Sequence, residues 1–188
     1  PGLPDLQGFG RRRMAIFPAE AEADVMYQIG ALKAFCDAVG VPLHHVKPHG
    51  ALYNMAAKDP ALAAAICRAV KAAAHEAMLL ALSGSEMIKA AQTLGLRVCS
   101  EVFADRGYQP DGTLVPRGKP GAMIEDEEEA IARVLQMAKQ GTVCAVDGST
   151  VALQADSVCV HGDGPKALAF VRKISAALPA AGVEIKAQ

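Results

Sequence analysis

The sequence predicts an α/β fold built on a parallel sheet, either open or closed into a barrel, and three observations carry that prediction. Short apolar runs of strand length alternate along the chain with stretches of helical periodicity, an order that requires crossover connections and favours parallel pairing. One of those runs, residues 77–82, is apolar without interruption, as a strand buried on both faces would be. Reactive side chains cluster where the runs stop: Lys47 and His49, Ser83 and Ser85, Glu101 with Asp105 and Arg106, and His161 with Asp163. In open α/β sheets and in barrels alike, ligands bind beyond the C-terminal ends of the strands. A chain of 188 residues is long enough for one domain with a substantial core, and a single domain over 1–188 is the simplest expectation.

Taken in order, residues 1–13 read as a loop, with glycines and prolines beside Asp5 and a run of arginines, Arg11, Arg12 and Arg13. Backbone freedom next to guanidinium groups suits a carboxylate or phosphate ligand, and equally suits a solvated surface loop. Over residues 20–39, Val25, Ile29, Leu32, Cys36 and Val39 fall at helical spacing, and Gly40 with Pro42 supplies a stop. A short strand at 43–47 then meets Pro48, which has no backbone donor, and Gly50, which reaches conformations closed to other residues. A loop is expected next. Asp59 and Pro60 then form an N-cap and first turn for a helix with Leu62, Ile66, Val70 and Ala73 on one face and His75 at its C-terminal turn.

After the run at 77–82, Ser85 is placed to cap a helix carrying Met87, Ile88, Ala91 and Leu94. A strand at 96–103 follows. The glycine- and proline-rich stretch 109–123 is too long for a minimal connector; Asp111-Gly112 marks a turn, and the whole reads as a lid or binding loop. The acidic residues 126–129 open a helix whose apolar face is Ile131, Val134, Leu135 and Ala138, so their charge is accounted for by the helix dipole. A hairpin around Asp147-Gly148, a strand at 157–160, a helix with Ala167, Val171, Ile174 and Leu178 on one face, and a last strand at 182–185 complete the series.

Composition closes off several functions. Nineteen basic and twenty acidic side chains nearly cancel, and the basic ones are scattered apart from Arg11 to Arg13, which argues against nucleic acid as a partner. No apolar run reaches the roughly 20 residues of a membrane span, and no signal-peptide pattern is present, so a cytoplasmic location and no membrane partner are expected. Five cysteines, odd in number and without a CxxC pair, read as free thiols. The chain opens without methionine on Pro1-Gly2-Leu3-Pro4-Asp5, in mid-loop chemistry, and an absent N-terminal segment is expected.

Each reactive residue has a structural alternative: His49 as a loop histidine, Glu101 as an ion-pair partner of Arg106, Asp163 as a helix cap. Their common placement at strand ends favours an active site. Histidine and carboxylate can exchange protons with water or an amide, while lysine and arginine can hold an anion and stabilise developing negative charge. Neither a serine nucleophile elbow nor a glycine-rich phosphate signature is present. His49, Glu101, His161 and Asp163 could also ligate a divalent metal, although they lack HxH or HExxH spacing, and the metal is left unknown.

Pro4-Asp5 with Gly8-Phe9-Gly10-Arg11-Arg12, then Lys47-Pro48-His49-Gly50-Ala51-Leu52-Tyr53-Asn54, the run from Glu101 through Tyr108, Leu114-Val115-Pro116-Arg117, and Cys159-Val160-His161-Gly162-Asp163 resemble, as an ordered set, the LamB/YcsF family. The resemblance covers essentially the whole chain. It implies a parallel β/α barrel of the seven-stranded, polysaccharide-deacetylase-like type, in which the family's N-terminal strands have no counterpart here. It also implies ATP-dependent hydrolytic opening of the 5-oxoproline lactam to L-glutamate, with ATP and Mg2+ as cofactors and 5-oxoprolinase subunits B and C as partners. On that basis Lys47, His49, Glu101 and His161 are the expected catalytic residues. Arg11, Arg12, Tyr53, Asn54, Asp105, Arg106, Arg117 and Asp163 are the expected substrate-binding residues. The competing expectations are a metal-dependent hydrolase or deacetylase acting on a carbohydrate-like amide, and a non-catalytic substrate-binding subunit.

Overall fold

A computed structural model describes residues 1–162 and 167–187. Helix α1 (Pro18–Ala38) is followed by β1 (His45–Val46), α2 (Gly50–Ala56), α3 (Pro60–Ala74), β2 (Met78–Leu82), α4 (Glu86–Thr93) and β3 (Val98–Phe103). Then come α5 (Glu127–Gln140), β4 (Thr142–Cys144), β5 (Thr150–Ala152), β6 (Ser157–Cys159) and α6 (Ala167–Ala180). Strands β1, β2, β3 and β6 form one sheet in that order, with β1 parallel to β2 and β3 parallel to β6. The mixed α/β class with parallel strands and helical crossovers is the expected β/α plan. The chain divides into two compact units, Pro1–Ser100 and Glu101–Gln188.

In the first unit the core is alanine-rich and closely packed, as a composition poor in aromatics demands. Helix α3 begins where Asp59 accepts hydrogen bonds from the Ala61 and Leu62 amides, and it buries Leu62, Ile66, Cys67 and Val70 completely or nearly so. Burial pushes the Cys67 thiol up to about 12, so it is an inert packing group. Helix α1 packs on α3 through Ala21, Val25 and Ile29. Its second half departs from expectation: Leu32 and Val39 are exposed, as are Tyr27 and Phe35. That half is apolar on several sides, and α3 covers only one, so apolar spacing alone could not identify the buried face.

Two further differences lie in this unit. The loop expected after Gly50 is instead α2, which buries Ala51, Leu52, Tyr53 and Ala56. Good helix formers at four of its seven positions, followed by Asp59-Pro60, allow one short helix to run almost directly into the next. Ser85 is the N-cap residue of α4, yet its hydroxyl makes no capping bond and is buried without a partner. The Glu86 amide there donates instead to the Ala57 carbonyl at 3.0 Å.

In the second unit Val102, Tyr108, Val134, Met137 and Val143 are almost fully buried. Asp126 caps α5 through the Glu129 amide at 2.8 Å. The buried face of α5 is Ala130, Val134 and Met137, with Ile131, Leu135 and Ala138 half-buried, a rotation from the expected stripe. Likewise α6 buries Phe170, Ile174 and Leu178, while Val171 is exposed. Strands β4 and β5 form the expected antiparallel hairpin, closed by Ser149 bonding to Asp147. No strand forms over 182–185; the Val183 amide donates to the Leu178 carbonyl, which closes the end of α6.

All five cysteines are free, with Cys67 and Cys99 buried, Cys36 and Cys159 half-buried and Cys144 exposed. Among the described residues no helix is long and apolar enough to cross a membrane.

Candidate functional site

The expected residues fall into two groups, one in each unit. The first group lies where β1 ends. Lys47 is half-buried, with Nζ 5.9 Å from the ring centroid of Tyr53, a buried residue of α2. His49 has extended backbone (φ −106°, ψ 144°) and is the N-cap residue of α2. Asn54 turns its amide back to the Gly50 carbonyl at 2.9 Å, so that nitrogen serves its own helix. Gly50 is required here for two reasons: its φ is +61°, and a Cβ would overlap the carbonyl oxygen of Gly10. That carbonyl accepts the Ala51 amide at 2.8 Å, bringing the N-terminal loop directly onto the Lys47–Asn54 motif.

The loop is organised by Asp5, a residue absent from the expected site. Its carboxylate has no side-chain exposure and accepts from the amides of Gly8 at 2.9 Å and Arg12 at 3.2 Å. It also accepts from Arg12 Nε at 2.9 Å and pairs with Arg12 Nη2. The Arg12 side chain, expected to bind substrate, is thus engaged by Asp5. The signal that could have exposed this is an aspartate three residues ahead of a glycine, the pattern of a carboxylate closing its own turn. Arg11 lies over the Phe9 ring, 5.8 Å from its centroid.

Hydrogen bonds from Arg12 hold the Asp5 carboxyl down to about 2 against the opposing effect of desolvation, with help from the Gly8 and Arg12 amides. The sign follows directly. A folded-state value below the ordinary 3.8 contributes stability that is complete above about pH 4 and is lost as pH falls toward 2. Asp5→Asn is therefore expected to be less stable than the parent at neutral pH and to lose stability less steeply between pH 4 and pH 2, which urea melts at a series of pH values would measure.

The second group begins inside β3, with Glu101, and continues past its end. Glu101 is 2% exposed and lies in register with Ser157 of β6. Asp105 is also buried, and its carboxylate meets His161 three times: 2.8 and 3.0 Å to the ring Nδ1, and 3.2 Å to the His161 amide. A carboxylate only accepts, so Nδ1 carries the hydrogen and, in the neutral ring, Nε2 carries the lone pair. The imidazole also stacks on Phe103, with ring centroids 5.6 Å apart and planes 22° from parallel. Burial alone would raise the Asp105 carboxyl, but the hydrogen bonds and charge of His161 outweigh it and hold the group below the ordinary carboxylate value. Asp105, expected to contact substrate, is spent on orienting His161.

Arg106 is 4% exposed, and its donors go to the loop that follows: Nε to the Ala122 carbonyl at 3.0 Å and Nη2 to the Val115 carbonyl at 2.6 Å. Burial, then the charge of Arg117, push its guanidinium below the ordinary value. Tyr108 is buried with its hydroxyl accepting the Phe103 amide at 2.9 Å. Arg117 is exposed, with Nη1 3.6 Å from the Met123 sulfur. Arg106 therefore shapes the loop, whereas Arg117 is an exposed cation on it. Asp163 lies outside the described residues. Among the described residues no three His, Cys, Asp or Glu side chains are grouped as metal ligands.

The model of the LamB/YcsF family matches residues 1–188. The chain is 58% identical over 98% of its length to a Clostridium beijerinckii protein named as the A subunit of 5-oxoprolinase, of which it covers 72%. It is 54% identical over its full length to a protein of the same name from Bacillus subtilis, covering 73% of that protein. Among solved structures it is similar to a crystal structure of the lactam utilization protein from Thermus thermophilus, with a TM-score of 0.89 and 50% identity, over the whole of this chain and 75% of that one. With the ordered motifs, the parallel strands and the whole-length match all in agreement, the chain belongs to the LamB/YcsF family.

Proposed function

We propose that this chain takes part in the ATP-dependent hydrolytic opening of the 5-oxoproline lactam to L-glutamate, as the A subunit of a 5-oxoprolinase working beside subunits B and C. The observation that carries the reading is the whole-length likeness, above half identity, to proteins named for that role. The chemistry of the residues supports it. A five-membered lactam is a weakly electrophilic amide, so its opening needs an activated carbonyl, a water and a proton donor for the departing nitrogen.

In the proposed scheme the lactam oxygen takes the γ-phosphoryl group as ADP leaves, and water adds to the activated carbon. The C–N electron pair then goes to nitrogen, which takes a proton, and a second water releases phosphate. Lys47 and Arg117 hold anionic groups, the substrate carboxylate or a phosphate. His49, Glu101 and His161 are the acid–base groups, with Asp105 orienting His161. Mg2+ travels on the nucleotide phosphates, where it needs one or two carboxylates at most from protein.

Reconstitution of the chain with subunits B and C, measuring glutamate and ADP together, tests the scheme. Equal amounts of both products are expected, with formation lost when this chain is omitted and reduced about 100-fold or more by Lys47→Ala, His49→Ala or Glu101→Gln. Amide hydrolysis that ignores ATP and stops with a chelator would replace this reading with the metal-dependent hydrolase. Tight binding of 5-oxoproline with no turnover in the complex would replace it with a non-catalytic carrier.

A further inference from the structure

The N-terminal loop holds His49 through three contacts and neighbouring Ala51 through a fourth. The His49 amide donates to the Pro1 carbonyl at 2.8 Å, and the Ala51 amide, two residues on, donates to Gly10 at the same distance. The ring Nε2 lies 2.8 Å from the Phe9 carbonyl oxygen. The Phe9 ring meets the imidazole edge-on, with centroids 5.2 Å apart and planes at 79°. A carbonyl oxygen can only accept, so Nε2 carries the hydrogen, and the neutral ring has its one lone pair at Nδ1. His49 and His161 are thereby held in opposite tautomers, His49 with its acceptor at Nδ1 and His161 at Nε2.

What aims the Phe9 carbonyl is not Phe9 itself. This residue is 72% exposed and sits at φ +54°, a left-handed conformation that a bulky side chain adopts only when its surroundings impose it. The imposition comes from Asp5. Its side chain collects Gly8 and Arg12, and its carbonyl accepts the Gly10 amide at 3.0 Å, which closes the turn on both sides of Phe9. A second closure, from the Arg11 amide to the Gly8 carbonyl at 2.9 Å, tightens the same turn.

We infer that Asp5 is a positioning residue for His49, acting through the turn it closes and the Phe9 carbonyl, so that His49 meets its substrate with Nδ1 as the proton acceptor. The inference rests on the proposed lactam opening for its kinetic consequence, and on geometry alone for the held tautomer.

The test reads the two separately. In the isolated chain the His49 ring N–H proton, assigned by its absence from His49→Gln, is expected to exchange slowly enough to be observed by NMR. It is expected to persist in Phe9→Asn, which keeps the carbonyl and tolerates the left-handed backbone. In Asp5→Asn its exchange should quicken about 10-fold or more, with the remaining amide spectrum still that of a folded protein. Should that variant fail to fold, Arg12→Gln, altered at a side chain 60% exposed, removes the guanidinium half of the clamp and is expected to quicken the same exchange.

In the reconstituted complex Asp5→Asn is expected to lower kcat about 10-fold or more with KM within about 2-fold. A ring proton absent from the parent chain, or one unchanged in both Asp5→Asn and Arg12→Gln, overturns the inference. So does a quickened ring proton accompanied by unchanged kcat. If the parent complex shows no turnover of 5-oxoproline, the proposed function fails, while the exchange measurements still decide the geometry.

Discussion

Arg106→Ala is expected to cost about 3–5 kcal/mol of stability and to free the loop that follows it, because the change empties a buried position that two carbonyls depend on. The Val115 carbonyl receives Arg106 Nη2, and burial leaves it no water to replace that donor. The Ala122 carbonyl is less dependent, since the Gly107 amide also donates to it at 3.1 Å. Together the two bonds pin both limbs of a long glycine- and proline-rich loop to the end of β3. Arg106→Lys is not expected to rescue the loss: one ammonium group cannot reach two separate carbonyls as a planar guanidinium does. Urea melts would read the stability. Trypsin cleavage after Arg117, slow in the parent and fast in the variant, would locate the damage; equal cleavage rates would show that the loop is held by other means.

That loop also shows what one sequence can and cannot disclose. Its turn at Asp111-Gly112 was legible because Asp111 satisfies the Thr113 amide and hydroxyl locally, at 2.9 and 2.5 Å. The cap at Asp59, the acidic start of α5, the buried run of β2 and the hairpin at Asp147-Gly148 were legible for the same reason, as their causes lie within a few residues. The rotation of α5 and α6 was not, because which apolar stripe is buried depends on what packs against it. Nor could periodicity reveal that 182–185 would close the end of a helix instead of pairing as a strand.

The candidate site divides along the same line. Lys47, His49, Glu101 and His161 could be picked out because reactive side chains near or past strand ends are few and fold class says where to look. The partners that decide their chemistry could not: Asp105 and His161 stand 56 positions apart, and Phe9 and His49 stand 40 apart. Arg12 and Arg106 look like ligand-binding cations in the sequence, which shows charge without showing the acceptors already present. In both cases the acceptor is protein, a carboxylate for Arg12 and two carbonyls for Arg106.

Asp105→Asn is expected to reduce 5-oxoproline turnover by the reconstituted complex about 100-fold or more while leaving the fold intact, since the substituted group differs from the carboxylate by one atom. The expectation turns on what His161 Nδ1 faces. A carboxylate accepts from Nδ1 and so leaves the lone pair at Nε2; an amide nitrogen turned the same way donates to Nδ1 and moves the ring hydrogen to Nε2. The imidazole would then stay in place, stacked on Phe103, with its acceptor pointing at the substituted amide in place of substrate. Ring nitrogen shifts of His161 would report that reversal independently of turnover. The stability effect has its own sign: Asp105 is held below the usual carboxylate value, so its contribution is complete above about pH 4 and is lost only as pH falls through the folded value. Asp105→Asn should consequently flatten the acid limb of the stability profile, and unchanged turnover together with unreversed ring shifts would remove His161 from the proposed acid–base groups.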